Sequence, residues 1–550
     1  MKLVLLLLLC LVCLTGGRVV AETPDEALSR LLAEARSRVP ASCADPAADA
    51  LVRILCTGQI RIGVRNNYPL FATGDGEERQ GYDIDVARAV AARLGVKPVW
   101  VPVKAATRIA ALVEGEVDLV VATMGHNTQR DAQVRFIRPH YYRSETIVVG
   151  PRDTQVRDWN DLPGHSICVT VGNYANSQIV AQGSRLVLFD DASRLPAGLQ
   201  DETCSLAAQD DSFFASYLTD PAFGDRFERK FGFDPVPWGM AVRKAGADRL
   251  AEALTLISEI MHKDGEFLAL ARRDRIATTF LEEQQKLWGQ PACAGPQAAS
   301  DPACVLPALV AEPPPTSFAP QVKASLAWIQ SRLGIVMTLP MLTSEPAWQL
   351  FQMGILNSFL LVIGTVVATF LIALLVGAAS TAASPLLRWP AWLVVAVLQS
   401  SPVVLTLVVA ASIAHAFFAY SATVALCAAI VALGLMNGCN AGQAIGEAAA
   451  TLRAEGGYSE GFSADLYRAA VGRSTTQLLS FLVNAVKGTP IASFTGAPEL
   501  LGALTDITSF ASGRVETYTI VLIFYTAVVA AVVWACEHAG RRLRRMDVTA

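Results

Sequence analysis

The sequence predicts a two-lobed α/β domain followed by an all-α transmembrane domain of about five helices. Strands and amphipathic helices alternate from Gln59 to about residue 285, and the helices carry apolar residues at helical spacing. Hydrophobic residues make up 52% of the chain and charged residues only 17%, which is more apolar than an ordinary soluble protein. The runs 349–387 and 389–446 contain no charged residue, and the second can hold two spans of roughly 20 residues.

The first 21 residues are predicted to be a cleaved signal peptide. Lys2 precedes a run of apolar residues, and small residues before Glu22 form a cleavage site. The mature chain would then begin outside the cytoplasm. An uncleaved anchor helix is the alternative, because Arg18 interrupts the end of the apolar run. Residues 22–57 are predicted to form a short helical extension.

Six cysteines lie between this signal and the predicted membrane spans. In an oxidising compartment they predict three disulfides between neighbours in sequence, although the sequence alone does not fix the connectivity. Metal binding is the less favoured alternative, because no CxxC or HxxxH spacing occurs. The predicted pairs are Cys43 with Cys56, Cys168 with Cys204, and Cys293 with Cys304.

Residues 58–285 are predicted to form both lobes of the α/β domain. The first lobe combines residues 58–148 with residues 241–285, and the second comprises residues 149–240. The chain therefore crosses between the lobes twice, and such a pair of crossings makes a hinged clamp.

The segment from Lys104 to Phe136 is where we expect a small molecule to bind. A short helix, ATRIAALVEGEV, leads into a buried strand, DLVVATM, and the strand ends in small and polar residues followed by Arg130. Such a strand end offers hydroxyl groups, backbone N–H groups and one guanidinium to an anion. Ligands of open α/β sheets bind outside the carboxyl ends of the strands. The sequence therefore predicts an anion-binding site here.

Residues 286–345 are predicted to be a Pro-rich linker that is stiff around Pro313 to Pro315 and does not pack against a domain. The transmembrane domain is predicted to occupy residues 346–545. Arg388, Arg453 and the terminal RRLRR mark the cytoplasmic side, so an odd number of spans leads from an outside N-terminal domain to an inside C terminus. The predicted spans are residues 349–377, 390–412, 417–440, 478–496 and 517–536.

Six segments, in the order in which they occur, resemble the bilobed periplasmic binding proteins for polar amino acids. This resemblance extends over nearly all of residues 58–285 and implies a type II clamp that captures an amino acid without catalysing a reaction. The segments are IRIGVRNNYPLF, GYDIDVARAVAARLG, TRIAALVEGEVDLVVATM with the following TQRD, PHYY, AAQDD and PWGMAVRK.

The resemblance implies a set of residues that hold the backbone groups of the ligand. Arg130 matches the arginine that clamps the α-carboxylate, helped by Thr123 and by the backbone at Gly125. Asp210 matches the second-lobe carboxylate that holds the ammonium, with helix N-capping as its alternative role. Gly125 and Asn173 stand where a Ser or Thr is usual, so a hydrogen bond to the ligand is lost at Gly125.

Three further residues are expected to face the ligand's side chain. Arg108 matches an arginine of the glutamate- and aspartate-binding members, Arg65 follows the first strand, and Tyr68 would supply an aromatic wall. Three guanidinium groups against the single carboxylate of Asp210 suit a ligand with two carboxylates and one ammonium, so glutamate or aspartate is expected. Glutamine or another polar amino acid is the alternative if Arg65 points to solvent and Arg108 serves only the α-carboxylate.

The C-terminal half resembles the membrane permease subunits of ABC-type amino-acid importers. LLRWPAWLVVAVLQSSPVV and VNAVKGTPIASFTGAPELLGAL carry this resemblance. It implies a separate cytoplasmic ATPase subunit and pairing of the permease domain as a homodimer or a heterodimer. The expected ATPase-coupling loop keeps Glu447, Ala448, Ala449 and Gly456, but its spacing differs and it lacks the usual apolar-Leu-Pro ending.

No motif predicts catalysis, because GxxxxGK[ST] and GxSxG are absent and the six histidines form no ligand cluster. No cofactor, metal or nucleic acid is expected. The sequence predicts a multi-pass protein of the cell inner membrane, with its binding domain in the periplasm, that imports an amino acid. A ligand-sensing receptor or ligand-gated channel built on the same clamp is the alternative. Membrane segments that follow a complete clamp, and do not interrupt its second lobe, favour transport.

Overall fold

The computed structural model divides the chain into two compact units. The predicted signal peptide lies outside the residues that the structure describes. The described residues are 22–40, 43, 49–293, 298–310, 313–382, 384–418, 422–458, 462–511 and 513–547. The first unit comprises Met1–Asp161, Ile167–Asn173 and Val187–Glu312, and the second comprises Leu162–Ser166, Tyr174–Leu186 and Pro313–Ala550.

Within the described residues, the α/β domain contains two five-stranded sheets. In chain order, the strands are β1 (Gln59–Val64), β2 (Lys97–Pro102), β3 (Leu119–Val120), β4 (Arg135–Phe136), β5 (Tyr142–Pro151), β6 (Ser166–Thr170), β7 (Arg185–Phe189), β8 (Leu206–Asp210), β9 (Phe227–Trp238) and β10 (Ala241–Val242). The first sheet has the order β2-β1-β3-β10-β4, and the second has the order β7-β6-β8-β5-β9. The chain leaves the first sheet after β4 and returns at β10, which confirms the predicted two-lobed fold.

Helices cover these sheets and extend the first lobe at its N terminus. They are α1 (Pro24–Ser37), α2 (Ala50–Thr57), α3 (Tyr82–Leu94), α4 (Arg108–Val113), α5 (Thr128–Asp131), α6 (Asn176–Ala181), α7 (Leu195–Gln200), α8 (Asp211–Thr219), α9 (Pro221–Gly224), α10 (Asp248–Lys263), α11 (Glu266–Arg273) and α12 (Thr279–Trp288). The helix α1 begins at a capping box between Thr23 and Glu26 and packs against α10. The helix α3 ends at Gly95, whose φ of 72° glycine adopts without steric cost.

Disulfides in the described residues join Cys43 to Cys56, Cys168 to Cys204, and Cys293 to Cys304. The last of them lies in the segment predicted to be an unpacked linker, and that prediction is wrong for its first part. Trp288, Cys293, Ala298, Cys304 and Val305 form a small buried cluster beyond the end of α12. The disulfide closes a short loop, which lowers the entropy cost of ordering these few apolar side chains.

The same segment continues to the loop that follows β3. The backbone N–H of Leu309 donates to the carbonyl of His126 at 2.9 Å, and the carbonyl of Leu309 accepts from the N–H of Thr128 at 3.0 Å. Two main-chain hydrogen bonds therefore fix this part of the linker beside α5, which begins at Thr128.

The second unit consists mainly of helices. They are α13 (Ala319–Leu333), α14 (Pro340–Thr343), α15 (Glu345–Thr381), α16 (Pro385–Ser400), α17 (Val403–Phe417), α18 (Ala422–Ala454), α19 (Ala464–Lys487), α20 (Leu500–Phe510) and α21 (Arg514–Asp547). Among the described residues, α15, α18 and α21 are long and apolar enough to cross a membrane. The helices α16 and α17 meet at an angle of 116° and would make a fourth span if they cross together.

Two of the five predicted spans are not continuous helices, so three or four candidate spans replace five. The predicted span 390–412 breaks at Ser401 and Pro402, because proline has no N–H to continue the helical bonding. The predicted span 478–496 ends as an α-helix at Lys487, and a 3-10 segment, Thr489–Thr495, follows. The residues at this break are Gly488, Thr489 and Pro490, and glycine and proline disfavour an uninterrupted helix.

A ladder of glycines brings α15 and α18 into close contact. A Cβ atom built on Gly438 would lie 2.7 Å from Cβ of Ile372 and 2.9 Å from the carbonyl oxygen of Thr369. Small residues at such spacing let helix backbones approach closely, which is how membrane helices gain packing contacts without a hydrophobic effect between them. The glycines of α18 that meet α15 in this way are Gly434, Gly438, Gly442 and Gly446.

Candidate ligand-binding site

Three arginine side chains of the first lobe are buried near the end of β3. Arg65, Arg108 and Arg130 are 3%, 3% and 7% exposed, so Arg65 does not point to solvent. The guanidinium of Arg65 lies over the ring of Tyr68, 5.3 Å from its centroid. Burial, and then the charges of Arg130 and Arg65, hold the pKa of Arg108 well below its usual value. The structure therefore brings together the three guanidinium groups that the sequence named.

Arg130 connects the first lobe to the second. Its backbone N–H donates to the side-chain oxygen of Asn127 at 2.9 Å, which fixes the start of α5. Its guanidinium donates to the carbonyl of Gly125 at 2.9 Å and to the carbonyl of Gly172, in the second lobe, at 3.0 Å. A Cβ on Gly172 would lie 2.8 Å from Cα of Ala106, so glycine is needed for this approach. These contacts close the clamp at Arg130.

Thr123 stands in a backbone conformation that is uncommon for a β-branched residue, with φ of 48°. Its N–H donates to Oδ2 of Asp83 at 2.8 Å, and its carbonyl accepts from Nη1 of Arg108 at 3.1 Å. The hydroxyl of Thr123 and Nε of Arg108 are buried and have no hydrogen-bond partner among the described residues. Buried polar groups normally have partners, so a bound molecule is expected to supply them.

Asp83 is a site residue that the sequence interpretation missed. It is fully buried in α3, and the hydroxyl of Tyr141 donates to its Oδ1 at 3.0 Å. Burial raises its pKa to about 7, although Arg65 and Arg108 act in the opposite direction. A usable signal was present, because Asp83 is in phase with the buried Ala87, Val90 and Leu94 on the apolar face of α3.

Asp210 ends β8 in the second lobe and faces Tyr68 of the first lobe. The hydroxyl of Tyr68 donates to Oδ2 of Asp210 at 2.9 Å. Burial raises the pKa of Asp210 to about 6. Its carboxylate makes no capping bond to α8 within the described residues, whereas Oδ1 of Asp211 accepts the N–H of Ser212 at 2.7 Å. The geometry therefore favours the ligand-facing role of Asp210 over N-capping.

Asn173 and Gly125 occupy the positions where the resemblance leads one to expect a hydroxyl. The side-chain amide of Asn173 donates to Oε1 of Gln209 at 3.2 Å, next to Asp210 in sequence. A Cβ on Gly125 would lie 3.0 Å from both methyl groups of Val236 and 3.5 Å from Nη1 of Arg130. A Ser or Thr at position 125 would therefore require the neighbouring valine to move.

The predicted ATPase-coupling residues lie in the second unit. Glu447, Ala448 and Ala449 belong to α18, and Gly456 lies in the turn after it with φ of 80°. Ala449 is buried, and Oε1 of Glu447 accepts the side-chain amide of Gln443 at 2.8 Å. Residues 459–461 of the predicted loop lie outside the described residues.

The part of the chain that contains the arginine cluster and its two carboxylates matches a known protein family. Residues 60–273 match the bacterial extracellular solute-binding proteins, family 3. This match covers both sheets and every residue described above for the site, from Arg65 to Asp210. The helical second unit continues beyond it.

Curated relatives align with part of this chain. The lysine/arginine/ornithine-binding periplasmic protein of Escherichia coli is 24% identical over 237 residues, which are 39% of this chain and 86% of the relative. A probable histidine-binding protein of Campylobacter jejuni is 26% identical over 113 residues, covering 20% of this chain and 44% of the relative. The glutamate/glutamine/aspartate/asparagine-binding protein of Rhodobacter capsulatus is 31% identical over 131 residues, covering 23% of this chain and 38% of the relative.

Among solved structures, an ancestral arginine-binding protein bound to arginine is 26% identical to this chain. The similarity covers 39% of this chain and 97% of the chain of that structure, with a TM-score of 0.37. The cysteine-binding protein from Campylobacter jejuni is 24% identical to this chain. The similarity covers 41% of this chain and 92% of the chain of that structure, with a TM-score of 0.39.

Proposed function

We propose that the N-terminal domain binds an acidic amino acid, glutamate or aspartate. The observation that carries this proposal is the burial of three guanidinium groups, Arg65, Arg108 and Arg130, against two carboxylates, Asp83 and Asp210. The three arginines outnumber the two carboxylates, and burial raises the pKa of Asp83 to about 7 and that of Asp210 to about 6, so the site favours a ligand that adds negative charge. A ligand with net charge −1 neutralises buried positive charge that a basic ligand would increase.

The proposal assigns one task to each group. Arg130 and the unpartnered hydroxyl of Thr123 would bind the α-carboxylate, and Asp210 would bind the ammonium in place of the Tyr68 hydroxyl. Arg65 and Arg108 would then share the side-chain carboxylate. Glutamine is the runner-up, because Asp83 supplies part of the negative charge that these two arginines require.

The relatives do not choose the ligand, since their names include basic, acidic and amide side chains. The relative from Rhodobacter capsulatus is named for glutamate, glutamine, aspartate and asparagine, the group of ligands that the charges of this site suit. The choice between acid and amide rests on Arg65, whose guanidinium is buried beside the ring of Tyr68.

Calorimetry on the purified chain tests this choice. Glutamate, aspartate, glutamine and histidine are titrated into the wild type, into Arg65→Ala, and into Arg135→Ala as a control in the same lobe. Arg135 is a half-exposed partner of Asp248 and lies away from the cluster. The acidic ligands should bind tightest and lose about 2–5 kcal/mol in Arg65→Ala alone. Preference for histidine, or equal losses for all ligands, would contradict the assignment.

We further propose that the whole chain is the receptor–permease subunit of an ABC importer in the cell inner membrane. The support is the order of parts: a complete solute-binding clamp, followed by helices long enough to span a membrane. Because the clamp is tethered to the permease, its effective concentration at the outer opening of the permease would be in about the millimolar range. The proposed partners are a separate cytoplasmic ATPase, coupled near Glu447 to Gly456, and a second permease domain.

Co-purification of an ATPase and ligand-stimulated ATP hydrolysis in proteoliposomes test the transport proposal. Stimulation by the ligand that binds tightest, and its loss in Asp210→Asn, would support an importer. A ligand-dependent ion conductance without ATP hydrolysis would instead identify the competing class, a ligand-gated channel. An ATPase that co-purifies but is not stimulated despite tight ligand binding would refute coupling.

A further inference from the structure

The helix α13 and the residues after it expose several large apolar side chains. Every residue of α13 is described, and within it Ala319 alone is buried. Trp328 is 61% exposed, Leu333 64%, Ile335 50% and Val336 71%. A group of exposed large apolar side chains marks a surface that contacts another molecule or a membrane.

Both ends of this segment are attached to the first turns of candidate membrane spans. Before α13, the ring of Phe318 packs edge-on against Trp348 in α15, with centroids 5.1 Å apart. After α13, the N–H of Thr338 donates to Oε1 of Glu516 in α21 at 3.2 Å. The segment therefore lies where the chain enters these two spans.

The two attachment points are on the same side of any membrane that the spans cross. Thr338, which contacts α21, is separated from the start of α15 at Glu345 by a connection that even fully extended reaches only about 25 Å. This connection contains α14 and is therefore shorter. A hydrocarbon core is about 30 Å thick, so the connection cannot cross it. The helix α13 lies between two anchors at one membrane surface.

The charges of α13 suit that surface. Val322, Leu326, Ile329 and Leu333 recur at helical spacing and form one apolar stripe, in which Leu333 is exposed and the other three are half-buried. The basic residues of the helix, Lys323 and Arg332, fall on opposite sides of this stripe, and the helix contains no acidic residue. This arrangement lets basic side chains reach phosphate groups while the stripe contacts the acyl boundary.

We propose that residues 319–336 form an interfacial segment that binds the surface of the bilayer and prefers anionic phospholipid headgroups. Trp328 lies outside the stripe, four residues before Arg332 on the same side of the helix, and tryptophan is enriched at the headgroup level. Lys323 and Arg332 add electrostatic attraction to anionic lipid. The inference depends on the membrane spans and not on the transport proposal, so it stands if the chain is a receptor or a channel.

Photo-cross-linking in the full chain tests this inference. The photoreactive residue p-benzoylphenylalanine is introduced singly at position 333, position 336 or, as a matched control, position 331. Ser331 is exposed and lies on the opposite side of α13 from the stripe. Each protein is reconstituted in nanodiscs of phosphatidylcholine with or without phosphatidylglycerol, irradiated and analysed by mass spectrometry. Proteins that elute like the wild type in size-exclusion chromatography are compared.

Lipid adducts at positions 333 and 336, several-fold more abundant than at position 331, would support the inference. Combining Lys323→Gln with Arg332→Gln should then reduce the phosphatidylglycerol adducts several-fold relative to the phosphatidylcholine adducts. Cross-links to a second copy of the chain or to another protein at these positions would overturn it, as would equal yields at position 331. An unchanged ratio of the two lipids in the charge variant would overturn the preference for anionic headgroups.

Discussion

Tyr68 of the first lobe donates a hydrogen bond from its hydroxyl to Asp210 of the second lobe, across 2.9 Å. Both groups come from strand ends or the turns that follow them, on opposite sides of the clamp. The phenol supplies one hydrogen bond to the half-buried carboxylate of Asp210. A ligand ammonium can offer more hydrogen bonds and a full charge, so this contact is one that binding should replace.

The first prediction concerns the charge of Asp210. Asp210→Asn should weaken the binding of glutamate or aspartate by about 2–5 kcal/mol, because the ammonium loses a charge partner in a desolvated site. Isothermal calorimetry on the purified chain measures the loss. Asp211→Asn removes the neighbouring charge, whose carboxylate accepts from Ser144, Glu145 and Ser212, and it should have the smaller effect on affinity. A loss of thermal stability with unchanged affinity in Asp210→Asn would return the residue to a structural role.

A second prediction follows from the pKa of Asp210, which burial raises to about 6. A bound ammonium stabilises the ionised carboxylate, so affinity should fall as the pH drops below about 6, by up to about tenfold per unit. For folding the sign is opposite: stability from this raised pKa is present below the unfolded pKa and is lost as pH rises through about 6. Affinity measured from pH 5 to 8 should lose this slope in Asp210→Asn. A loss of affinity toward low pH that persists in that variant would contradict the role of Asp210, because protonation of Asp83 favours an acidic ligand.

The third prediction separates two roles of Asp83. Asp83→Ala leaves the N–H of Thr123 without an acceptor, so all ligands should bind more weakly by about 1–3 kcal/mol. Asp83→Asn keeps an acceptor and removes a negative charge beside Arg65 and Arg108. It should increase the preference for glutamate over glutamine, by on the order of 1 kcal/mol. Wild-type affinities and selectivity in both variants would show that Asp83 has no part in binding.

The fourth prediction concerns the contact between α15 and α18. Gly438→Ala places a methyl group 2.7 Å from Cβ of Ile372, so it should destabilise the helix pair by about 1–3 kcal/mol. Gly472→Ala is the matched control, because nothing lies within 4 Å of the added carbon and alanine favours a helix. Thermal unfolding of the detergent-purified chain measures both. Equal melting temperatures for the two variants would mean that α15 and α18 are not in contact.

The fifth prediction tests the packed part of the linker. Replacing Cys293 and Cys304 by serine should release the segment, since closing so short a loop contributes about 3 kcal/mol. Limited proteolysis should then cut between residues 289 and 310 much faster than in the wild type. Cys43→Ser with Cys56→Ser, which removes a different disulfide, should leave this region protected. Peptide mapping of the unreduced wild type checks the three pairings directly.

The pattern of the sequence was sufficient for the α/β domain because its signals are local. Gly95 ends α3, and apolar spacing identifies the helices that cover the sheets. The resemblance also named Arg65, Arg108 and Arg130, and the structure brings these side chains together. Asp83 was missed although it lies on the apolar face of α3, because carboxylates are mostly exposed in proteins.

The linker and the broken spans depend on contacts that no local pattern reveals. Prolines and small residues predict an extended segment, yet the partners of Leu309 are the backbone groups of His126 and Thr128, far away in sequence. The helix pair α16 and α17 contains no charged residue after Arg388, so hydropathy detects one span although Pro402 divides it. Hydropathy shows how long an apolar segment is, and it does not show that the helix axis bends within the segment.

The attachment of Leu309 through its main chain has a consequence for evolution. Both hydrogen bonds use the peptide N–H and C=O, so they are indifferent to the side chain at that position. Substitutions can accumulate there freely, with one exception: proline has no N–H to donate to His126. In homologues we expect the side chain at this position to vary while the two main-chain hydrogen bonds persist. Proline should be absent from this one position, although the linker around it is rich in proline.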